Sequence, residues 1–372
     1  MGFFTRIQSA ACGLDQKAEQ MKNIYSEMIS IFHKRNMFKK IEWTHAQQEE
    51  FDLFWKRNYK RIPNYWHRLY QNTNGTFNIR YFPEYLFTTE LEWRINPKDY
   101  CTALCDKNLL VSLFGDIKDL HIPHTILSCS NGVYQDDRQK PISFEKAVGA
   151  TASVGRCIIK PTTNTGSGRQ IRLLELYNGM DELSGESADS IIHSYGNNFV
   201  MQEAIVPCLS LSNLSPHSVS TIRLISYYAN NEFHVAPLTM RIGTGLSHVD
   251  NIHAGGLVVC LGHDGKLGKT AYRLGYGDLA DPFLTHPDSK IKFEDVLIPN
   301  TPKMIQMAKM MHSRIPQLGI LSWDYTVDSD NSITLLEVNT RDQSVWFPQM
   351  ASGEAIFGDN TEYFCWRIKH QK

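Results

Sequence analysis

Long apolar runs are missing from the start of this chain. Met1 to Lys40 contains no tract of the ~18 apolar residues a spanning helix needs, and no apolar core followed by a small-residue cleavage site. A dominant charge is missing as well. Thirty-eight Lys plus Arg face 39 Asp plus Glu, for a formal net charge of -1, so no overall field draws in nucleic acid and any polyanion site must be local. Cysteine is sparse, eight in 372 residues, too dilute for a disulfide-built fold and without a second pair to complete a metal site. Cys101 and Cys105, four apart, are read as buried free thiols rather than zinc ligands, which favours a reducing, cytoplasmic compartment. Neither GxGxxG nor GxxxxGK[ST] occurs, which removes the best signs of a dinucleotide fold and of a P-loop. Internal repeats and low-complexity tails are absent too.

What is present describes a globular protein: 42% hydrophobic and 21% charged residues, in a chain long enough for one large domain or two or three lobes. Residues 1 to about 70 read as helical, with Trp43, Phe51, Trp55, Tyr65 and Trp66 making an aromatic-rich accessory region. The first helix carries Met21, Ile24, Tyr25, Met28 and Ile31 beside basic Lys34 and Arg35. That stripe suits packing on its own domain, and leaves open a weak contact with the inner face of a membrane. After the polar break QNTNGTFN, Lys98 to Phe114 reads as one helix, His121 to Ser128 as a strand, and Ser143 to Thr151 as a helix. Strands follow at 155–161, 169–177 and 198–206. Thr221 to Tyr228 and Phe233 to Ile242 form a hairpin about Asn230-Asn231. Further strands are expected at 256–262, 270–274, 320–327 and 333–338, and Pro302 opens a helix to about Arg314. Helices first and hairpins later favour an α+β fold over a doubly wound sheet. The expected division is an accessory region over 1–75, an α/β part over 76–150, a small lobe over 151–207 and a large lobe over 208–372.

Four constellations could carry chemistry. Asp324 lies on one strand of the closing hairpin, while Glu337 and Asn339, two apart on the next, share a face. A reversal near Asp330-Asn331 brings 324 roughly opposite 337. Three oxygen donors then converge, the ligand type that magnesium takes together with phosphate oxygens and water. A solvated hairpin edge is the competing reading, but a carboxylate within Ile333 to Val338, an otherwise apolar strand, requires a partner. Next, the apolar strand ending in Lys160 leads to a small-residue loop, Thr162 to Arg169, able to cover phosphates or to be a plain flexible hairpin loop. The strand holding Gln202 and Glu203 could offer backbone groups to a base edge, or be a plain half-buried strand. Finally, Arg223 and Arg241 end strands with planar forks suited to phosphate or carboxylate, or to structural ion pairs, and Asn251 and His253 lie in a polar turn before Gly255-Gly256.

Taken in order over residues 98 to 345, this set resembles the ATP-grasp superfamily, and within it the sugar-transfer associated branch. The resemblance implies two α+β lobes enclosing ATP. In it Lys107 and Lys160 are the nucleotide-facing lysines, Thr165, Gly166, Ser167 and Gly168 the phosphate-covering loop, and Gln202, Glu203, Ala204 and Ile205 the adenine hinge. Arg223 and Arg241 hold an acyl or terminal phosphate, Asn251 and Gly255-Gly256 form the asparagine-glycine loop, beside which His253 is a candidate base or a simply hydrogen-bonded histidine, and Asp324, Glu337 and Asn339 bind one or two Mg2+ ions. A carboxylate-amine ligase acting through an acyl phosphate is implied. Its substrates would be a small-molecule carboxylate and amine, a sugar acid, amino sugar or amino acid of surface polysaccharide synthesis. A phosphotransferase to a hydroxyl, or a non-catalytic nucleotide-binding partner of a polysaccharide assembly, are the alternatives. One departure stands out: Thr340-Arg341-Asp342-Gln343 follows the asparagine where family members often carry a small residue and a proline-glycine turn.

Overall fold

The computed structural model describes residues 3–38, 41–163, 170–245, 255–273 and 282–370. It opens with helices α1 (Phe3–Lys34), α2 (His45–Asn58) and α3 (Tyr65–Asn74), the second of which starts at a Thr44 capping box with Gln47. Further helical turns span 84–95, with a π turn at Phe87–Leu91. The segment expected as one helix from Lys98 to Phe114 breaks after Leu104. There Asp106 accepts from the Asn108 N–H and starts a separate 3-10 turn.

Fifteen strands among the described residues form two sheets. The first eight are β1 (Leu120–His121), β2 (Thr125–Ser130), β3 (Val133–Gln135), β4 (Pro141–Ile142), β5 (Gly155–Pro161), β6 (Arg172–Tyr177), β7 (Met180–Asp181) and β8 (Asn198–Glu203). Then come β9 (Thr221–Ala229), β10 (Glu232–Val235), β11 (Leu238–Ile242), β12 (Leu257–Leu261), β13 (Leu267–Arg273), β14 (Ile320–Val327) and β15 (Ile333–Asn339). The smaller sheet runs β4-β3-β2-β8-β5-β6-β7 and is antiparallel throughout. It draws strands from both sides of residue 150. The larger sheet runs β1-β15-β14-β9-β11-β12-β13, with β10 extending β9 as a hairpin. Asn230 and Asn231 both take positive φ in that turn, 52° and 65°, as a two-residue hairpin of matching twist demands. The single strand expected over 233–242 splits into β10 and β11 around Ala236-Pro237, where proline has no N–H for the ladder.

Alternation along the central strands sorts the large sheet into two faces. Ile222, Leu224, Met240, Trp323 and Tyr325 join the core on which Met304, Met307, Ala308 and Met311 of the helix Thr301–Arg314 pack. On the other face Ile225, Tyr227 and Ile320 are covered by Phe51, Trp55, Phe82 and Phe87. Nearby, Val258 and Tyr272 lie under Trp66, Tyr70 and Trp346. Two C-terminal helices, Trp346–Ser352 and Thr361–His370, complete this layer and were not expected from the sequence. The N-terminal helices thus close one stretch of the sheet face and leave the neighbouring stretch, which is charged, to line a cleft.

Candidate active site at the junction of the two sheets

Backbone register builds the charged stretch. Asp324 pairs with Arg223 on one side and with Glu337 on the other, which sets three charged residues in one row across β9, β14 and β15. The register shifts beyond Asp324, where Tyr325 pairs with Leu335, so Leu336 is the extra residue of a bulge next to Glu337. A bulge there re-aims the strand end, a common device beside functional sites. Asn339 lies opposite Ser322, one step along the same face, and Arg241 lies opposite Thr221.

The side chains interlock. Arg223 donates to both oxygens of Asp324, from Nε at 2.5 Å and from Nη2 at 2.9 Å. Arg241 Nη2 reaches Asp324 Oδ2 at 2.9 Å while its Nε donates to Thr221 Oγ1. Asn339 Nδ2 donates to the same Oδ2 at 3.2 Å. Burial by itself would raise the Asp324 carboxyl, but the two guanidiniums and these hydrogen bonds outweigh it and hold the group below the usual carboxylate range. At the other end of the row, Lys107 Nζ donates to Glu337 Oε1 at 3.0 Å. The Lys107 N–H donates to the Thr162 carbonyl just past β5, so one lysine ties the end of the small sheet to the large one. Lys160, buried on β5, is pushed down to about 8 by burial first and then by the charge of Lys107, with Glu337 opposing.

Among the described residues, Lys107, Lys160, Arg223 and Arg241 gather round Asp324 and Glu337, four cations to two carboxylates. Such a surplus held out of water suits a polyanion. A cleft of about 310 Å3 opens at the Glu337 end, lined by Lys107, Thr163, Glu337, Asn339, Arg341 and Asp342. A smaller void of about 30 Å3, the size of one water, lies at the Arg223–Arg241 end beside Ser344 and Phe347. No cluster of three His, Cys, Asp or Glu occurs among the described residues. Asp324, Glu337 and Asn339 carry hard oxygens of the type magnesium accepts alongside phosphate, and here both Asp324 oxygens are held by Arg223, Arg241 and Asn339.

Gln202 and Glu203 end β8, the strand adjoining β5. The buried Gln202 amide donates to the Pro123 carbonyl. Glu203 Oε1 accepts from the His124 N–H at 2.7 Å and lies 3.1 Å from His121 Nε2. Ala204 and Ile205 follow on the connection to the large sheet, which the chain joins through the Cys208 N–H donating to the Val327 carbonyl. These four residues therefore occupy the crossing between the sheets. Thr165, Gly166, Ser167, Gly168, Asn251 and His253 lie outside the described residues.

Two residues of this site escaped the sequence reading. Glu92 accepts from the N–H groups of Asp342 and Gln343, and Glu84 from that of Val345. Both are buried, which pushes each carboxyl up to about 8 against the pull of these hydrogen bonds. Together they hold the turn after Asn339, where Asp342 sits at φ 53° without a glycine. An acidic residue inside an aromatic, apolar run is the signal that could have found them, since it must have a partner.

A family model described as sugar-transfer associated ATP-grasp matches residues 86–363, more than half of the chain. No curated protein matches it. Among solved structures, the chain is similar to the biotin carboxylase–β-γ-ATP complex of Campylobacter jejuni, at 13% identity and a TM-score of 0.42, over 75% of this chain and 49% of that one. It is similar to the VanG D-Ala:D-Ser ligase of Enterococcus faecalis at 15% identity and a TM-score of 0.39, over 72% and 61%. For the N5-carboxyaminoimidazole synthetase of Staphylococcus aureus with ADP the figures are 12% and 0.35, over 64% and 45%. The chain spans about half the length of these solved chains. By the match over 86–363, the chain belongs to the sugar-transfer associated ATP-grasp family.

Proposed function

We propose that this member of an enzymatic ATP-grasp ligase family joins a small carboxylate to an amine at the expense of ATP, through an acyl phosphate. The observation that carries the reading is the row Arg223, Asp324, Glu337, with Arg241 bound to Asp324 at one end and Lys107 to Glu337 at the other, bordered by a cleft. The adenine would rest at the Gln202–Ile205 crossing, its phosphates running toward Lys160 and Lys107. Asp324, Glu337 and Asn339 would hold Mg2+, which when bound neutralises and aligns phosphate oxygens.

The residues of the chain do the rest by position and charge. An oxygen of the substrate carboxylate attacks the γ-phosphorus, the bond to the bridging oxygen breaks, and ADP leaves. Lys107 and Lys160 balance the charge on the phosphates in a site largely shielded from water, where such pairing is strong. Arg223 keeps Nη1 clear of its two bonds to Asp324 and can turn that fork to the acyl phosphate. The amine nitrogen then adds to the acyl carbon and gives up a proton, and phosphate leaves as the amide forms. No nucleophile from the chain is required. The family's association with sugar transfer supports a sugar acid, an amino sugar or an amino acid of surface polysaccharide as one partner.

An ADP-release screen of the purified chain against sugar acids and amino acids, with hydroxylamine as trap, tests this. ADP together with a hydroxamate of the acid is the expected result. ADP with a phosphorylated hydroxyl product would make the protein a phosphotransferase instead. Tight ATP binding with no turnover over a broad acceptor set would make it a nucleotide-binding partner and end the ligase reading.

A further inference from the structure

Helix α1 is amphipathic the wrong way round. Its inward side is polar: Gln20 Nε2 and Asn23 Nδ2 donate to the carbonyls of Thr89 and Thr88 on the π turn, and Glu27 and Lys34 are buried. Lys34 Nζ sits over the rings of Trp346 and Trp66, 4.9 and 5.5 Å from their centroids, and donates to Ser30 Oγ. Just beyond the helix, Met37 and Phe38 are buried beside Trp66 and fix its rotation. The outward side carries Met21, Ile24, Tyr25, Met28, Ile29 and Phe32, with Met21 70% and Phe32 60% exposed. At 3.6 residues per turn these six fall within one stripe. A helix that only served its own domain would turn this stripe inward.

Over residues 20–38 the charges bordering the stripe have one sign. Lys22 and Arg35 are exposed at its margins, and Arg35 lies over the Phe32 ring. Between residues 20 and 38 the one acidic residue is Glu27, which faces the core. A second copy of the same helix laid against this face would bring cation against cation, which like-charge repulsion disfavours. An anionic surface meets both features at once. We propose that the outward face of α1 docks on an anionic lipid bilayer, its six apolar side chains entering the headgroup boundary and Lys22 and Arg35 meeting lipid phosphates or carboxylates. Among the described residues no helix is long and apolar enough to cross a membrane, so α1 lies in the surface plane. This assignment does not depend on the ligase chemistry.

Co-sedimentation of the full chain with phosphatidylcholine vesicles, with and without phosphatidylserine, tests it. Binding is expected to the anionic vesicles and to weaken in high salt. Lys22→Gln with Arg35→Gln should lower it by about fivefold per cation, the effect of one basic residue near such a surface. Met28→Ser with Phe32→Ser should abolish it, while circular dichroism and nucleotide binding stay as in the parent chain, because neither pair touches the site. Failure to bind either vesicle, or equal binding to both, overturns the proposal. So does a dimer in sedimentation that Met28→Ser with Phe32→Ser turns into a monomer, because the face would then belong to a second copy.

Discussion

Replacing Glu337 with glutamine separates the metal reading from an ordinary ion pair. The side chain is 27% exposed and accepts one charge-assisted hydrogen bond, from a Lys107 that is only 5% exposed. Losing that bond costs roughly 1.5–3 kcal/mol, and Lys107 keeps a neutral acceptor in the amide oxygen. Against a usual stability of about 5–15 kcal/mol the variant should fold. A metal site should respond far more strongly. Removing groups that merely orient metal ligands costs roughly 10–100-fold in metal affinity or activity, so losing a ligand should exceed ~100-fold in magnesium-dependent turnover, or about 2.7 kcal/mol. The assay is ADP release at fixed ATP over a magnesium titration, with circular dichroism as the folding control. Lys107→Met breaks the same ion pair and keeps the carboxylate, so it should raise the KM for ATP and leave the shape of the magnesium curve unchanged. A Glu337→Gln enzyme whose magnesium curve overlays that of the parent chain, with turnover intact, would refute the assignment.

Lys160 offers a pH test. Burial and Lys107 hold it down to about 8, so it is cationic below that pH and neutral above it. ATP affinity measured by calorimetry should therefore weaken as pH rises through about 8, and Lys160→Arg should flatten the profile, since arginine stays charged. Glu92→Ala leaves the N–H groups of Asp342 and Gln343 without their acceptor, a loss of roughly 1–3 kcal/mol in urea unfolding, and should raise the acceptor KM more than that of ATP. In Glu84 the folded-state carboxyl is raised from 4.5 to about 8 by burial, so its favourable share of stability is complete below 4.5 and is lost as pH rises through 8. Replacing it by glutamine should make the melting temperature less sensitive to pH across that window, and a parallel decline in both proteins would exclude the effect. Trp66→Ala should cost roughly 3–5 kcal/mol by opening a cavity where α1, α3 and the helix Trp346–Ser352 meet.

Much of this molecule is written locally. Alternating apolar residues with turn signals such as Asn230-Asn231 determine β9, β10, β14 and β15, and the two-residue spacing of Glu337 and Asn339 already places them on one face. The motif order from Lys107 to Asn339 is likewise linear, which is why the family resemblance could be stated from the chain alone. Contacts between residues far apart in sequence were another matter. That Asp324 is gripped by guanidiniums 101 and 83 residues away follows from the order β14-β9-β11, and no local periodicity carries strand order. Nor could spacing show that Glu84 and Glu92 reach the turn at 342–345, because their partners are backbone N–H groups brought near only when the N-terminal helices cover the sheet. In α1 the stripe was visible beforehand, but its direction was decided by burial of Glu27 and Lys34 against Trp66 and Trp346, a choice made by the packed core and not by the helix itself.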